Sequence, residues 1–286
     1  MGRPESSLGP LSHSQAQTVL ECEGKWRLRY VEKLRSKEEK PAPMLGRAVH
    51  IALAAYFALI PAHRSMDRLE ATFSGAWEAM LTEGVAKLGE DWLSENAPKL
   101  ADHYKRGLAM LGKFWNLNQN SPHIPACKVE NEVSMPLGNT TFRAIPDAYF
   151  VTKARITILS HKTSPYSQPD RSGNLLFNPQ HIREAMVLSH LSPGAVPAFV
   201  RYYFLWPGGS DTREIPVYFE QIEQARIDLL EIAKRRDALA KQQRPTWNLR
   251  SMCERNCDYA KICLARVQLW NVTEEKAKWY TKEDKP

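Results

Sequence analysis

An α/β fold is predicted for this chain: a mixed central sheet flanked by helices, with a helical cap and a cysteine-bearing C-terminal element. Three observations predict it. Through the first 117 residues the apolar positions recur at helical spacing. After Pro125 the pattern switches to strand alternation in CKVENEVSMPL, TFRAIPDAYF and RITILS. Beyond these a helix near 179–191, a strong strand AFVRYYFLW and a long amphipathic helix near 219–242 follow in the order of a layered α/β domain.

Taken in order, residues 1–11 are polar and expected to be disordered. A helix starts near Ser12 or Ser14, because serine caps helices well, and runs through Trp26 to about Lys33. SKEEKPAP is a charged loop ended by two prolines. A strongly apolar helix spans about Leu45 to Leu59, and 66–117 holds two or three more, with Trp77, Met80, Leu81 and Val85 on one face. Gly138-Asn139 turns the first strand into the second, and Lys153-Ala154 the second into the third. Asp147 then closes one strand and Lys162 the next, which brings their ends together. A polar loop covers 164–179, and Pro207-Gly208-Gly209 leads from AFVRYYFLW into EIPVYF. The consecutive divisions are 12–124, a helical part carrying Cys22 and His50; 125–244, the core; and 245–286, the cysteine element and tail.

The chain has 286 residues, 43% hydrophobic and 25% charged, enough for one large domain or two small ones. No apolar run approaches the roughly 18 residues of a membrane span. The start lacks the apolar core of a secretory leader, so a cytoplasmic setting is expected. A net charge of +7 permits a polyanion partner without demanding one. Lys25, Arg27, Arg29, Lys33 and Arg35, and the run Lys234 to Arg236, read more readily as solvated helix faces than as grooves. Tyr202, Tyr203, Phe204 and Trp206 could stack bases, but a sheet core explains them as well.

Five cysteines in a reducing setting point to metal or redox chemistry over disulfides. Cys253, Cys257 and Cys263 form C-x3-C-x5-C, and Cys22 lies far upstream. Four thiolates suit zinc or an iron–sulfur cluster. Cys127 is left over and reads as a buried thiol in a strand.

Asp147 and Lys162 at neighbouring strand ends could share one metal-bound phosphate; the plain alternative is two exposed polar residues. Pro146-Asp147 and, thirteen residues on, Ser160-His161-Lys162-Thr163 resemble the paired elements of the PD-(D/E)XK nuclease superfamily in its RecB-like branch. Gly46-Arg47-Ala48-Val49-His50 is similar to that branch's G-x-x-x-H element, and Gln180 to the first position of its Q-x-x-x-Y element. The split cysteines resemble those of the small iron–sulfur exonucleases found with CRISPR systems and in phages. The resemblance runs from about residue 12 to 265.

What this resemblance implies is specific. The core would be restriction-endonuclease-like. His50, Asp147, the residue at 160 and the backbone carbonyl of His161 would hold Mg²⁺ or Mn²⁺, and Lys162 would orient water and offset phosphate charge. Gln180 would contact the site or the DNA end. Cys22, Cys253, Cys257 and Cys263 would hold a 4Fe–4S cluster. The activity would be a metal-dependent DNA exonuclease, on single-strand or duplex ends, in recombination, repair or phage DNA metabolism. Homo-oligomers occur among related proteins.

Two departures stand out. Glu184 occupies the Tyr position of the Q-x-x-x-Y element, and Ser160 stands where an acid is expected. A serine there removes one negative charge from the ligand set. Three accounts are open: a change introduced to silence a nuclease; another acid, Glu130 or Glu132, entering from the neighbouring strand; or a protein that binds DNA ends without cutting them.

Overall fold

The computed structural model describes residues 8–36, 41–119, 124–164, 175–194, 197–241, 257, 259–260, 262 and 280–282. The first elements are β1 (Leu11–Ser12), α1 (His13–Glu21), α2 (Glu23–Trp26), β2 (Leu34–Ser36), α3 (Pro41–Ala58), α4 (Met66–Leu88) and α5 (Glu90–Gln119). Then come β3 (Lys128–Val129), β4 (Val133–Leu137), β5 (Thr140–Ala144), β6 (Ala148–Val151), β7 (Ile156–Thr163) and α6 (Pro179–Leu191). The last are β8 (Ala198–Trp206), β9 (Gly209–Val217), α7 (Phe219–Lys241) and β10 (Tyr280–Lys282). They pack as two compact units: Met1–Glu39, Ser134–Arg143 and Arg226–Pro286 in one, Lys40–Val133 and Ala144–Ala225 in the other. The consecutive segments expected from the sequence therefore interleave, and Cys22 and His50 fall in different units.

In the first unit the expected long N-terminal helix is interrupted. Ser12 caps α1, its hydroxyl accepting from the Gln15 N–H at 3.3 Å. The helix stops at Cys22, whose backbone is extended, and the Cys22 thiol accepts the Lys25 N–H at 3.4 Å to cap α2. Leu11, in the segment expected to be disordered, is buried in a parallel pairing with β5. The run Lys234 to Arg236 is not a plain solvated face. Arg236 is fully buried and donates to the Gly9 carbonyl at 3.1 Å and to the Thr140 hydroxyl at 3.2 Å.

The second unit holds a five-stranded sheet in the order β3-β6-β7-β8-β9. β7 and β8 run parallel and the other neighbours antiparallel, so the sheet is mixed, as expected. Helices cover both faces. Leu159, Tyr203 and Leu205 pack into one core with α3, α4 and α5. Tyr202 points the other way by strand alternation and meets His181 of α6 edge-on at 5.1 Å. Arg64 ties the end of α3 to the entry into β3, donating to the Tyr56 and Leu59 carbonyls at 3.1 Å and to those of Ile124 and Pro125 at 2.8 Å.

Two expected strands are each split. The segment 127–137 breaks at Glu130, which adopts φ 45°, so β3 and β4 join different sheets. The segment 141–150 breaks at Ile145-Pro146-Asp147, because proline offers no N–H to a ladder. Asp147 therefore precedes a strand and does not end one. Cys127 is buried as expected, but just before β3; its N–H donates to the Phe57 carbonyl at 2.8 Å. Burial raises its thiol to about 11 against a smaller opposing effect of Arg64. The prolines of SKEEKPAP fall inside the first turn of α3, where a missing N–H costs nothing. Tyr202, Tyr203 and Phe204 are core residues, which favours the sheet-core reading over base stacking.

Candidate metal centre

The site is built where α3 crosses the C-terminal end of β7. Ala48, Val49, Ala52, Leu53 and Phe57 commit one side of α3 to the core. Gly46 and His50, four residues apart, share a face. A Cβ added at Gly46 would stand 3.4 Å from the Thr163 hydroxyl, an ordinary packing distance, so α3 runs close beside β7 here. That approach brings His50 Nδ1 to 3.5 Å from Asp147 Oδ1.

Asp147 sits in the bend before β6. Its Oδ2 accepts the His161 backbone N–H at 2.9 Å and lies 3.7 Å from His161 Nδ1. The His161 ring stacks on Phe57 at 5.6 Å and on Tyr203 at 5.8 Å, and meets His50 edge-on at 5.6 Å. It is almost fully buried, and neither ring nitrogen has a hydrogen-bond partner among the described residues. One donor atom each from His50, Asp147 and His161 fall within 4.8 Å of one another.

The electrostatics favour a cation there. Burial, the strongest influence on His161, drives it down from 6.5 to about 4; Asp147 opposes this, while His50 and Lys162 add to it. Its imidazole is therefore neutral, with one ring-nitrogen lone pair to give. Burial pushes the Asp147 carboxyl up, but its interactions with the His50 and His161 side chains and the His161 backbone N–H together hold it far below the ordinary range.

The sequence-predicted residues divide into three groups. His50 and Asp147 converge. His161 joins them through its ring, whereas the resemblance assigned its backbone carbonyl; nothing in SHKTS signals this, because the ring is placed by Phe57 and Tyr203 from other elements. Lys162 is partly exposed and lies close enough for its charge to act on His161. Ser160 is buried, and its hydroxyl is without a partner among the described residues. Gln180 donates from Nε2 to Glu184 Oε1 at 3.0 Å, and Glu184 Oε2 meets His181 Nδ1 at 2.8 Å. This Gln–Glu–His set on α6 is buried at Glu184 and His181, and sequence reasoning missed the pairing although its i, i+3 and i, i+4 spacings are visible.

Among the cysteines, Cys253 and Cys263 lie outside the described residues. Cys22 and Cys257 are both half-buried in the first unit, and Cys257 packs against Leu28, Leu34, Tyr259 and Ile262.

A family model described as the PD-(D/E)XK nuclease superfamily matches residues 10–264. The chain belongs to this superfamily. Two solved structures resemble the PD-(D/E)XK chain at low identity. One, described as a "Putative exonuclease" from Eubacterium rectale, is 12% identical, with 86% of this chain and 88% of that one covered and a TM-score of 0.47. The other, described as SSO0001, is 15% identical, with 77% and 94% covered and a TM-score of 0.32. Both scores fall below 0.5, so the family model carries the assignment. No curated protein matches.

PD-(D/E)XK nucleases use divalent metals, and the donor set found here fits one. One ionised carboxylate and two imidazoles suit Mn²⁺ better than Mg²⁺, which prefers an all-oxygen shell. No described helix is long and apolar enough to cross a membrane.

Proposed function

We propose that this PD-(D/E)XK nuclease is a metal-dependent DNA exonuclease that digests ends, single-stranded ends above all, in recombination, repair or phage DNA metabolism in the cytoplasm. One observation carries the reading: His50 of α3 and Asp147 of the sheet meet at 3.5 Å beside the strand that bears Lys162. In the reaction, water oxygen forms a bond to phosphorus, the P–O bond to the leaving sugar breaks, and the water proton passes to the departing oxygen. His50, Asp147 and the His161 ring would hold a divalent ion, whose chemistry when bound would be to polarise the phosphate and lower the pKa of the attacking water. Lys162 offsets phosphate charge and orients the water. The His161–Asp147 contact fixes the carboxylate, because the backbone N–H occupies one lone pair of Oδ2 and leaves the rest for the ion.

Ser160 weakens this site. A second reading therefore has an observation of its own: the buried, uncharged Ser160 suits a protein that binds DNA ends without cutting. Both readings take Cys22, Cys253, Cys257 and Cys263 as holders of a 4Fe–4S cluster that staples the fold, with zinc as the other ion four thiolates accept.

The test uses labelled linear single-stranded, linear duplex and circular DNA with Mn²⁺ or Mg²⁺. The exonuclease reading expects cleavage of linear DNA only, by the wild type or by Ser160→Asp, and a loss of at least about 100-fold in Asp147→Asn. Cleavage of circles at the same rate overturns the preference for ends. Salt-sensitive binding with no cleavage by either form selects the binding reading. For the cluster, Cys257→Ala is expected to give a colourless, poorly soluble protein; an equally brown, soluble variant removes Cys257 from the ligand set.

A further inference from the structure

The strand ladders align three residues across the end of the sheet. β3 and β6 pair through Val129↔Ala148, and β6 and β7 through Ala148↔Leu159. One step further along each ladder, Glu130 stands beside Asp147 and Asp147 beside Ser160. The Glu130 N–H donates to the Asp147 carbonyl at 3.3 Å, which fixes the first of these neighbours. The row thus reads acid, acid, serine. The acid absent on one side of Asp147 is present on the other.

The backbone at Glu130 is unusual. Its φ is 45°, a left-handed conformation that carries strain in a residue with a Cβ. Glycine would take it without a Cβ clash, at some cost in chain entropy. The turn redirects Glu130 from the alternation of β3. Its carboxyl is within electrostatic reach of the centre: partial burial pushes it up first, the Asp147 charge adds to that, and His50 draws it down. The side chain as a whole is exposed, so its torsions can bring the carboxylate to an ion, although its oxygens lie outside the 4.8 Å group of His50, Asp147 and His161. Glu132, the other acid of the segment, is exposed too, but it lies two residues beyond the row, next to the start of β4 in the other sheet.

We propose that Glu130 supplies the carboxylate that Ser160 lacks, reaching the divalent ion from the β3 side of Asp147, with His50 and the His161 ring on the α3 side. This rests on the nuclease reading above. It makes Glu130 a metal-binding residue kept at a backbone position that glycine would occupy with less strain.

The experiment measures Mn²⁺ binding to the whole protein by titration calorimetry, with the melting temperature of each metal-free variant beside it. Glu130→Gln is expected to weaken Mn²⁺ at least about tenfold, and Ser160→Asp in the same chain to restore it. Glu130→Gly is expected to raise the metal-free melting temperature by about 2 °C through relief of the left-handed strain, while weakening Mn²⁺ as much as Glu130→Gln does. A residue kept for structure alone gives neither combination. Glu132→Gln is expected to stay within about twofold of wild type, since Glu132 lies two residues beyond the row. Wild-type Mn²⁺ affinity in Glu130→Gln, with binding lost in Asp147→Asn, overturns this assignment and leaves the nuclease reading standing. Unchanged binding in Asp147→Asn overturns the metal centre itself.

Discussion

Two buried histidines flank the central strands of the second unit, and each has a carboxylate beside it. On α6, His181 Nδ1 meets Glu184 at 2.8 Å, and the other Glu184 oxygen takes a hydrogen bond from Gln180 at 3.0 Å. On β7, His161 Nδ1 stays 3.7 Å from Asp147, whose oxygens face His50 and the His161 backbone N–H. The α6 carboxylate is satisfied by its own helix. The Asp147 carboxylate is shared between groups from two other elements, His50 of α3 and the N–H and ring of His161 on β7, and both nitrogens of that ring are unpartnered among the described residues. The comparison separates a carboxylate closed on its own helix from a donor set whose geometry fits an ion.

Removing each carboxylate breaks or sharpens that contrast. Asp147→Asn is expected to abolish Mn²⁺ binding and to cost any cleavage at least about 100-fold, while Glu184→Gln keeps Mn²⁺ affinity within about threefold and instead costs about 2–3 kcal/mol of stability through the lost charged hydrogen bonds. Calorimetric titration and thermal melts separate the two. A Glu184→Gln protein that loses Mn²⁺ and keeps its melting temperature reverses their roles.

Next in size is the pH dependence of the metal-free protein. His161 is lowered in the fold from 6.5 to about 4, so between these values the unfolded chain takes up a proton that the folded chain refuses. Stability therefore falls as pH drops from about 6.5 to about 4, by up to about 3 kcal/mol from this group. Asp147 acts in the same direction at lower pH, because its folded carboxyl resists protonation and its contribution is lost as pH falls below about 4. His161→Phe, which preserves the stack with Phe57 and Tyr203, is expected to flatten the curve between pH 6.5 and 4 in denaturant melts. An unaltered slope shows that another group titrates there.

The smallest expected effect is metal preference. Two imidazoles in the set predict that Mn²⁺ binds at least about tenfold more tightly than Mg²⁺, and that His161→Phe narrows the gap. Equal affinities in the wild type would mean that the His161 ring does not bind the ion.

The legible parts of the fold are those with strong local signals. α6 begins at Pro179, as expected, because Asn178 accepts the Gln180 N–H at 3.0 Å and proline fits the first turn. β8 covers AFVRYYFLW as expected, because a strand buried on both faces is apolar throughout. The split at Glu130 was not legible: a left-handed glutamate has no signature in the chain, and alternation continues across it. The split at Pro146 was visible in the residue itself, but the motif Pro-Asp within an apolar stretch read as the end of one strand. The long N-terminal helix was misread for a similar reason, since helical spacing persists through Cys22 while the backbone does not.

The sequence by itself determined the superfamily, the mixed sheet flanked by helices, and the identity of His50 and Asp147 as partners, because residue types at fixed spacings encode the strands, the turns and the Gly46–His50 face. Only the tertiary structure decided that the His161 ring joins them, that Glu184 is spent on its own helix, and that Glu130 lies beside Asp147. Each depends on which side chains from distant segments surround a group once it is buried, and no local pattern carries that information.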